Sequence, residues 1–564
     1  MKERNANVSG RDWDTDSESL TEEEIGRDVR KIMNNGRGRP PYPDQQAGRG
    51  RRIDEINRTV YTDEGLSSYE TPRRELTKED KKRLQKQERE ERRIRRRINA
   101  PYTFISYAFV LVFLMLIGYL VYFNIYERDS IQNSPYNKRQ DSQTRYVTRG
   151  SITAADGTVL AETHIDESGK ESRYYPYGNE FAHVVGYDTN GKAGLESVCN
   201  YDLLASHFNI IDRVTNEFTG QKNPGDTVVS TLSVTLQDTA YSALGEHRGA
   251  VVVIDPKTGD ILAMVSKPDF NPNTIAADWN DIISVNTNSQ LVNRAVSGLY
   301  PPGSTFKIVT ALSYFQKNAT FADFSFDCTG VLENSGHTVH CFDQTAHGQE
   351  DFELAFANSC NCAFSQIGLD IGADSLRSTA ESLLFNQSLP CLLGGKKSSY
   401  SLKASEGNAA MMQTAFGQGD TLVTPYHMAL IVSAIANDGI LMKPRFVRKV
   451  ESVDGNVVMK NDPENYRTLM TRTEADQMKN LMEKVVTSGT GSGLYTDWYT
   501  AAGKTGSAEY RREDGETGTH SWFVGFSNVD DPDIVVAVIA EDAGAGSTTA
   551  VPIAREIFNS YYSS

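Results

Sequence analysis

The stretch GAVVVIDPKTGDILAMVS, Gly249–Ser266, carries the clearest strand signal in this chain. Two apolar runs flank a Pro-Lys-Thr-Gly turn sequence, which is typical of a β-hairpin. Near the end of the chain, HSWFVGFSN (His520–Asn528) and DIVVAVIAED (Asp533–Asp542) predict two more buried strands, and VPIAREIFNSYY (Val551–Tyr562) predicts an amphipathic helix. Because the pattern of residues 304–490 is mostly helical, we predict an α/β (α+β) fold in which helices cover an antiparallel sheet.

The length and charge of the chain indicate more than one domain. Its 564 residues are too many for one ordinary core and enough for two or three units. The net charge of −16 is unevenly distributed, because residues 1–100 carry a net +4 and the remainder carries −20. An acidic main body argues against nucleic-acid binding, since phosphate backbones attract basic surfaces. We therefore expect no nucleic-acid partner.

A membrane-spanning segment separates the two parts. YTFISYAFVLVFLMLIGYLVYF, Tyr102–Phe123, has 22 residues without a charge, and as a helix it would be about 33 Å long, enough to cross a bilayer. The preceding stretch Lys81–Asn99 holds ten Lys/Arg against three Glu. By the positive-inside rule, the N-terminus lies in the cytoplasm and the region after the span is extracytoplasmic. All six cysteines fall on that side, which fits an oxidising or a thiol-indifferent compartment.

These signals predict four regions. Residues 1–100 form a cytoplasmic disordered and basic tail, and residues 101–124 form the transmembrane helix. Residues 125–224 form a small β-rich region, in which short strand-like runs flank an Asp-Gly turn. Residues 225–564 form the largest domain, which contains the predicted sheet.

The segment YPPGSTFKIV, Tyr300–Val309, places Ser304 one helical turn before Lys307. A serine hydroxyl is a poor nucleophile until a neighbouring base takes its proton. Residues three apart share a helix face, and burial lowers the pKa of a lysine, so Lys307 is a candidate base for Ser304. Taken alone, the pattern also fits a serine helix cap followed by a lysine that reaches solvent.

Two later motifs favour the catalytic interpretation. Ser359 and Asn361 form a Ser-x-Asn motif in AFANSCNCAF, and Lys504–Gly506 is a Lys-Thr-Gly motif in AAGKTGSAEY. The ordered set Ser-x-x-Lys, Ser-x-Asn and Lys-Thr-Gly is the signature of penicillin-recognising serine acyl-enzymes. An earlier Lys-Thr-Gly, Lys257–Gly259, precedes the serine and occupies the turn of the first hairpin, so we assign it no catalytic role.

From about residue 146 to its end, the chain resembles a class B penicillin-binding protein, a monofunctional peptidoglycan D,D-transpeptidase, of the compact short-pedestal type. NRAVSGLYPPGSTFK, AFGQGDTLVTPYHMAL and KTGSAE…HSWFVGF carry the resemblance in the catalytic region, and RGSITAADGTVLAE carries it in the pedestal. The resemblance implies the penicillin-binding transpeptidase and serine β-lactamase-like fold, with residues 125–224 as the pedestal (dimerisation-like) domain and residues 225–564 as the transpeptidase domain.

The resemblance also implies catalytic roles. Ser304 would attack the penultimate carbonyl of a D-Ala-D-Ala stem peptide, with Lys307 as general base. Ser359 would relay a proton to the leaving amine, and Asn361 would hold the acyl-side amide and orient the base. Lys504 would bind the terminal carboxylate of the substrate.

Further substrate contacts are implied on the last motif. The Thr505 hydroxyl would join Lys504 on the carboxylate, and Gly506 belongs to the same substrate-binding strand. The backbone N–H groups of Ser304 and Ser507 would form the oxyanion hole. The commoner residue at position 507 in this family is threonine, which matters little for a backbone donor.

A group of sulfur and imidazole ligands resembles a metal site. Cys328, His337, His340 and Cys341 do not follow a common zinc spacing, and the resemblance implies neither a metal nor another cofactor. A disulfide between Cys328 and Cys341 or two free thiols remain open. Cys360, inside the second motif, is predicted to be a small buried residue.

Several functions and partners follow from the resemblance. The expected function is cross-linking of peptidoglycan stem peptides on lipid-linked nascent glycan, with covalent inhibition by β-lactams. A D,D-carboxypeptidase or β-lactamase, a β-lactam receptor and a scaffold of the division or elongation complex are the alternatives. The expected partners are a SEDS-type glycosyltransferase and proteins of the division or elongation machinery in the membrane.

Overall fold

A computed structural model describes residues 77–127, 140–284, 289–512 and 514–563. The chain divides into two compact units, Met1–Tyr107 and Ala108–Ser564. The predicted disorder of residues 1–70 lies outside the described residues.

The described helices and strands are numbered here in chain order. The helices are α1 (Lys78–Tyr122), α2 (Gly194–Val198), α3 (Asn200–Leu204), α4 (Ile210–Thr219), α5 (Val234–Leu244), α6 (Ile275–Ser284), α7 (Arg294–Ser297), α8 (Lys307–Asn318), α9 (Phe352–Ala357), α10 (Asn361–Ile371), α11 (Ala373–Ser382), α12 (Gly407–Ala415), α13 (Pro425–Ala436), α14 (Arg472–Ser488) and α15 (Ala550–Ser563). The strands are β1 (Val147–Thr148), β2 (Ile152–Thr153), β3 (Val159–Ile165), β4 (Glu171–Tyr174), β5 (Asn223–Pro224), β6 (Thr227–Ser230), β7 (Gly249–Ile254), β8 (Ile261–Lys267), β9 (Ser325–Cys328), β10 (Val331–Asn334), β11 (His337–His340), β12 (Gly348–Asp351), β13 (Ile440–Met442), β14 (Val447–Glu451), β15 (Val457–Lys460), β16 (Asn465–Thr468), β17 (Ala501–Arg511), β18 (Thr517–Ser527) and β19 (Ile534–Ala540).

Helix α1 contains the apolar stretch predicted from the sequence. It is long and apolar enough to cross a membrane, and none of its residues is buried. It begins at Lys78, so the basic stretch and the apolar stretch form one continuous helix that includes Pro101.

The central sheet has five strands in the order β17-β18-β19-β7-β8, and all neighbours are antiparallel. Strand β7 is buried on both faces, because alternate side chains point to opposite sides of a sheet. Val251 and Val253 pack in one cluster with Ile553 of α15, whereas Val252 belongs to the cluster that contains the fully buried helix α13. The predicted antiparallel sheet covered by helices is therefore confirmed.

A second sheet has the order β15-β14-β6-β2-β3-β4. Strands β2 and β3 pair antiparallel around the Asp-Gly turn that the sequence indicated. Strand β6 lies parallel to β2 and antiparallel to β14, so the later part of the chain contributes two strands to this pedestal sheet. The predicted domain boundary at residues 224–225 falls before β6, so β6 also lies beyond it although it belongs to this sheet.

A buried carboxylate with two arginine partners links the start of the pedestal to β4 and α2. The Glu196 carboxylate accepts hydrogen bonds from Arg149 Nε and Arg173 Nε, both at 2.7 Å, and all three side chains are almost fully buried. Burial alone would raise the pKa of Glu196, but the two guanidinium groups hold it below its usual value. Its contribution to stability is therefore present above the unfolded-state pKa and is lost as the pH falls through the folded-state pKa.

Replacing Glu196 by Ala is expected to lower the free energy of unfolding by about 3–5 kcal/mol, because two buried guanidinium groups lose their counter-charge. Thermal unfolding of the purified chain measures the change, and Glu167→Ala, at an exposed position of the same domain, is the matched control. Equal melting temperatures for the two variants would contradict this role for the ion pair.

Small hairpins interrupt the region that the sequence predicted as mostly helical. Strands β10 and β11 pair antiparallel, as do β9 and β12, and β13 pairs with β16. These strands are only three or four residues long, and most of their side chains are exposed or half-buried. Short strands without a buried face leave little alternation in the sequence, which explains why the prediction missed them.

Candidate active site

The first motif lies in a tight turn that precedes α8. Ser304 is half-buried within the 3₁₀ turn Gly303–Phe306, and Lys307 is the first residue of α8 and fully buried. Gly303 has φ 52°, and a Cβ there would lie 3.0 Å from Ser507 O and Ala508 Cβ. A side chain does not fit without movement of β17, so glycine allows the turn to pack directly against that strand.

The Lys307 ammonium is directed at the second motif. Its Nζ donates to Ser359 O at 2.6 Å, Asn361 Oδ1 at 2.8 Å and Ser359 Oγ at 3.2 Å. Burial lowers the pKa of Lys307 to about 8, although nearby cysteine and glutamate charges act in the opposite direction. With that pKa, roughly a tenth of the side chain is neutral at pH 7. The predicted burial of this lysine is confirmed.

No hydrogen bond joins Ser304 Oγ to Lys307 Nζ among the described residues, although the spacing predicted that the two side chains would meet. The carbonyl and amide oxygens of the second motif are strong acceptors, and they hold the ammonium on that side of the turn. The sequence pattern placed both groups on one helix face, but Ser304 lies in a 3₁₀ turn that ends where α8 begins.

The second motif connects the two lysines. Ser359 has φ 58°, a conformation that few residues other than glycine adopt, and it lies between the end of α9 and the start of α10. Its Oγ is 2.8 Å from Lys504 Nζ and 3.2 Å from Lys307 Nζ. Cys360 is the N-cap of α10, and its sulfur accepts a hydrogen bond from Ala363 N at 3.3 Å.

The third motif lies on β17, at the edge of the central sheet. Lys504 is fully buried, and burial followed by repulsion from Lys307 lowers its pKa well below the usual value. A Cβ at Gly506 would lie 3.0 Å from Thr305 Cγ2 and from Trp522 Cβ. This glycine therefore lets β17 approach the turn that carries the first motif.

The structure brings the predicted residues together to different extents. Lys307, Ser359, Asn361 and Lys504 form one hydrogen-bonded network. Thr505, Gly506 and Ser507 follow on β17 beside the Ser304 turn. The roles of these residues, including the oxyanion hole, stay predictions.

Thr490 is a site residue that the sequence analysis missed. Its Oγ1 is 2.6 Å from Thr505 Oγ1, and its backbone N donates to Ala357 O at 3.1 Å. Thr490 thus positions the hydroxyl of the third motif. The only local signal was the Ser/Thr/Gly-rich loop SGTGSG between α14 and β17, which is also what an ordinary connection looks like.

A cluster of possible metal ligands lies next to the second motif. The sulfurs of Cys328, Cys341 and Cys360 and one ring nitrogen of His347 all lie within 4.8 Å of one another. His340, which the sequence grouped with Cys328 and Cys341, is exposed, as is His337. The structure thus groups His347, and not His337 or His340, with these cysteines.

Comparison with known proteins identifies the family. The penicillin binding protein transpeptidase domain matches residues 249–559, and the penicillin binding protein A dimerisation domain matches residues 149–228. The chain is 30% identical over 488 residues to peptidoglycan D,D-transpeptidase PbpA of Mycolicibacterium smegmatis. The aligned region covers 80% of this chain and 96% of that protein.

Two solved structures of penicillin-binding transpeptidases are also similar to this chain. The D,D-transpeptidase domain of a peptidoglycan glycosyltransferase from Eggerthella lenta aligns with this chain with a TM-score of 0.67 and 32% identity. The alignment covers 74% of this chain and 99% of the Eggerthella lenta chain. The imipenem acyl-enzyme of penicillin-binding protein A from M. tuberculosis has a TM-score of 0.68 and 29% identity, with 74% and 99% coverage.

The fold is thus that of the penicillin-binding transpeptidases, and the first family match covers more than half of the chain. The chain belongs to the penicillin-binding protein family, and the accompanying dimerisation domain marks it as a class B member. The resemblance read from the sequence is confirmed.

Proposed function

We propose that this protein is a membrane-anchored peptidoglycan D,D-transpeptidase that works through an acyl-enzyme on Ser304. The observation that carries the proposal is the network in which Ser359 Oγ lies between Lys307 Nζ and Lys504 Nζ, at 3.2 and 2.8 Å, beside the half-buried Ser304. The family match, and a relative named for D,D-transpeptidase activity, support the same conclusion.

In the acylation step, neutral Lys307 takes the proton of Ser304 as Oγ attacks the penultimate D-Ala carbonyl. The N–H groups of Ser304 and Ser507 stabilise the oxyanion, and one such donor is typically worth about 10²–10³ in rate. The C–N bond then breaks, a proton passes through Ser359 to the leaving amine, and D-alanine departs. The acyl group remains as an ester on Ser304.

In the second step, the amine of another stem peptide attacks this ester. Ser359 accepts the proton of the amine, the C–O bond breaks, and Ser304 regains its proton. Each step conserves protons within the network of the two lysines and Ser359. No redox partner or metal takes part in this scheme.

Substrate binding follows from the position of β17. An edge strand offers free backbone groups to an extended peptide, and β17 is at the edge of the central sheet. Lys504 and Thr505 would bind the terminal carboxylate, while Asn361 would hold the acyl-side amide. The buried Lys504 ammonium makes this a strong anion site, since desolvated charges interact strongly.

The decisive experiment separates transpeptidation from hydrolysis. The detergent-solubilised full chain is incubated with lipid-linked glycan that carries pentapeptide stems, in the presence of a glycosyltransferase. We expect cross-linked dimers with one D-alanine released per cross-link. Release of D-alanine without dimers would assign the chain as a carboxypeptidase, and absence of both would support a scaffold role.

The pH dependence of acylation is a second expectation. Because Lys307 has a pKa of about 8 and acts as a base, the second-order rate of penicillin acylation should rise with pH and level off above that value. Stopped-flow or gel assays between about pH 6 and 9 measure it. A flat profile, or one that falls over this range, would contradict the role of Lys307.

The chain is also expected to be a single-pass membrane protein with a cytoplasmic N-terminus and an extracytoplasmic catalytic domain. Helix α1 is long enough to span, and the ten Lys/Arg of Lys81–Asn99 support this orientation. Protease added to intact spheroplasts should digest the catalytic domain and spare an N-terminal tag. Digestion of the tag instead would reverse the topology.

The expected partner is a SEDS-type glycosyltransferase together with division or elongation proteins. Only about 100 residues separate the predicted span from the transpeptidase domain, too few for a glycosyltransferase domain in the same chain. In the pedestal, α4 presents the exposed apolar side chains Ile211 and Phe218. Crosslinking from these two positions in cells tests for such a partner, and crosslinks to lipid alone would argue against it.

A further inference from the structure

One carboxylate outside the three motifs is bonded to the segment that leads into the Ser304 turn. Glu541 follows β19 directly, and its side chain is 17% exposed. Its Oε1 accepts hydrogen bonds from Tyr300 Oη at 2.7 Å and from Arg294 Nε at 2.8 Å. Its Oε2 accepts one from Arg248 Nε at 3.1 Å. Tyr300 and Glu541 are 241 residues apart in the chain, so only the fold brings them together.

The donor and the acceptor in the Tyr300–Glu541 bond are fixed near neutral pH. Burial raises the pKa of Tyr300 far above its usual value, and the charge of Glu541 adds to this effect. Burial alone would raise the pKa of Glu541, but the hydrogen bond from Tyr300 and the charge of Arg294 hold it below its usual value. The bond thus joins a neutral hydroxyl to a carboxylate, and such charge-assisted bonds are roughly twice as strong as neutral ones.

The ring and the backbone of Tyr300 are also held in place. Its backbone N donates to Val423 O at 3.0 Å, and its O accepts from Val423 N at 2.8 Å. The ring lies edge-on to His520 and Trp522, with centroid distances of 5.4 and 6.1 Å. A Cβ at Gly298 would lie 2.5 Å from the Tyr300 ring, so the glycine leaves the space that the ring occupies. These contacts direct the hydroxyl at Glu541.

Two prolines connect Tyr300 to the turn that carries Ser304. Proline restricts φ to about −65°, and Pro302 has φ −71°, so Pro301 and Pro302 form a stiff spacer. The carbonyl oxygen of Pro301 also accepts a hydrogen bond from Trp522 Nε1 at 3.1 Å. A displacement of Tyr300 is therefore passed on to Ser304.

The Ser304 turn is fixed to the central sheet at two places. Gly303 packs against β17, where a Cβ would lie 3.0 Å from Ser507 O. Tyr300 is bonded at the end of β19, two strands further into the sheet. The predicted oxyanion donors are the N–H of Ser304, on the turn, and the N–H of Ser507, on β17. Their separation depends on where the turn lies over the sheet, which the bond to Glu541 helps to set.

We propose that Glu541 and Tyr300 are positioning residues for acylation, and that their hydrogen bond holds Ser304 in register with the oxyanion donor of β17. Arg294 and Arg248 keep the carboxylate in place. Both positioning residues act through the turn and not by contact with the substrate. The inference rests on the proposed acyl-enzyme function and adds to it two residues outside the three motifs.

The first test is Tyr300→Phe, which removes the hydrogen bond and keeps the ring. Acylation of the full chain in detergent is followed over a range of fluorescent penicillin concentrations, which separates the dissociation constant of the noncovalent complex from the acylation rate constant. We expect the rate constant to fall about 10–100-fold, because a small misplacement of a reacting group has effects of this size. The dissociation constant should stay within about twofold, since Lys504 and Thr505 are unchanged.

The matched control is Tyr426→Phe. Tyr426, on α13, is buried like Tyr300, and its hydroxyl also donates one hydrogen bond of 2.7 Å, to Pro390 O. Both variants should lower the melting temperature to a similar extent, but Tyr426→Phe should keep the wild-type acylation rate constant. An equal fall in both variants would assign the effect to a general loss of packing and overturn the proposal. A folded Tyr300→Phe chain with the wild-type rate constant would do the same.

Variants of Glu541 test whether the two residues act as a pair. Glu541→Gln keeps an acceptor oxygen and should slow acylation by at most about fivefold, whereas Glu541→Ala should slow it as much as Tyr300→Phe does. In the Glu541→Ala chain, adding Tyr300→Phe should cause little further loss, because the bond is already absent. If the two losses multiply, the residues act independently and the proposed pair is wrong.

The wild-type chain separates this inference from the proposed function. Absence of acylation at Ser304 in the wild-type chain would refute the proposed function, and the positioning role with it. Acylation of the wild-type chain that Tyr300→Phe leaves unchanged would refute the positioning role alone.

Discussion

Replacing Ser304 by alanine is expected to abolish covalent labelling by fluorescent penicillin and to reduce transpeptidation by about 10⁴-fold or more. The substitution removes the only atom proposed to bond to the acyl group. Ser304 is half-buried in a 3₁₀ turn, so loss of its hydroxyl should leave the fold intact. Gel fluorescence and intact-protein mass measure the acyl adduct directly.

The control for this variant is Ser297→Ala. Ser297 is half-buried like Ser304 and lies seven residues earlier, at the end of α7. The Ser297→Ala variant should be labelled by fluorescent penicillin at the wild-type rate. Labelling of Ser304→Ala at any comparable rate would place the nucleophile elsewhere in the chain. In cells, growth that depends on this protein should fail with Ser304→Ala if catalysis is required, and should continue if the protein acts as a scaffold.

The sequence predicted the central sheet well because its strands are buried on both faces. Apart from Gly249 at the start of β7, strands β7 and β19 are continuous runs of Val, Ile and Ala, and all their residues are buried. Such runs leave a strong signal. Strands β9–β12 are four residues each and mostly exposed. They are held by contacts with distant parts of the chain, which no local pattern records.

In the active site, too, residues that belong to a local sequence pattern could be predicted, whereas residues held only by tertiary contacts could not. The order of three short motifs singled out Ser304, Lys307 and Lys504 as candidates, because the chemistry demands those residue types. Thr490 was missed because it joins the site only through a tertiary contact, with Thr505. Its own sequence surroundings are those of an ordinary loop.

The positions of the two lysines relative to Ser359 could not be read from the sequence either. The spacing paired Lys307 with Ser304, and the resemblance implied its contact with Asn361. In the structure the ammonium donates to Asn361 and also to Ser359, which the spacing did not predict. Two buried lysines that share one hydroxyl repel each other, and that repulsion adds to burial in lowering the pKa of Lys504. The network therefore has a cost in stability, which an anionic substrate carboxylate would relieve on binding.

Replacing Lys504 by alanine is expected to lower the second-order rate of penicillin acylation by about 10²–10³-fold, because the site loses its charged carboxylate donor and one of the two ammonium groups on Ser359. The chain contains its own matched control, since Lys257 begins a second Lys-Thr-Gly in the turn between β7 and β8. Lys257 is partly exposed, and its Nζ pairs with Asp531 at 2.7 Å and Asp533 at 3.3 Å, away from the three motifs.

Lys257→Ala should therefore acylate within about twofold of the wild type, as surface ion pairs contribute little. Both variants are followed by the rate of fluorescent-penicillin labelling against inhibitor concentration, together with thermal unfolding. A folded Lys504→Ala chain that acylates at the wild-type rate would contradict the assignment of the third motif. An equal loss in the two variants would do so too, because the tripeptide functions only where β17 places it beside Ser359 and the Ser304 turn.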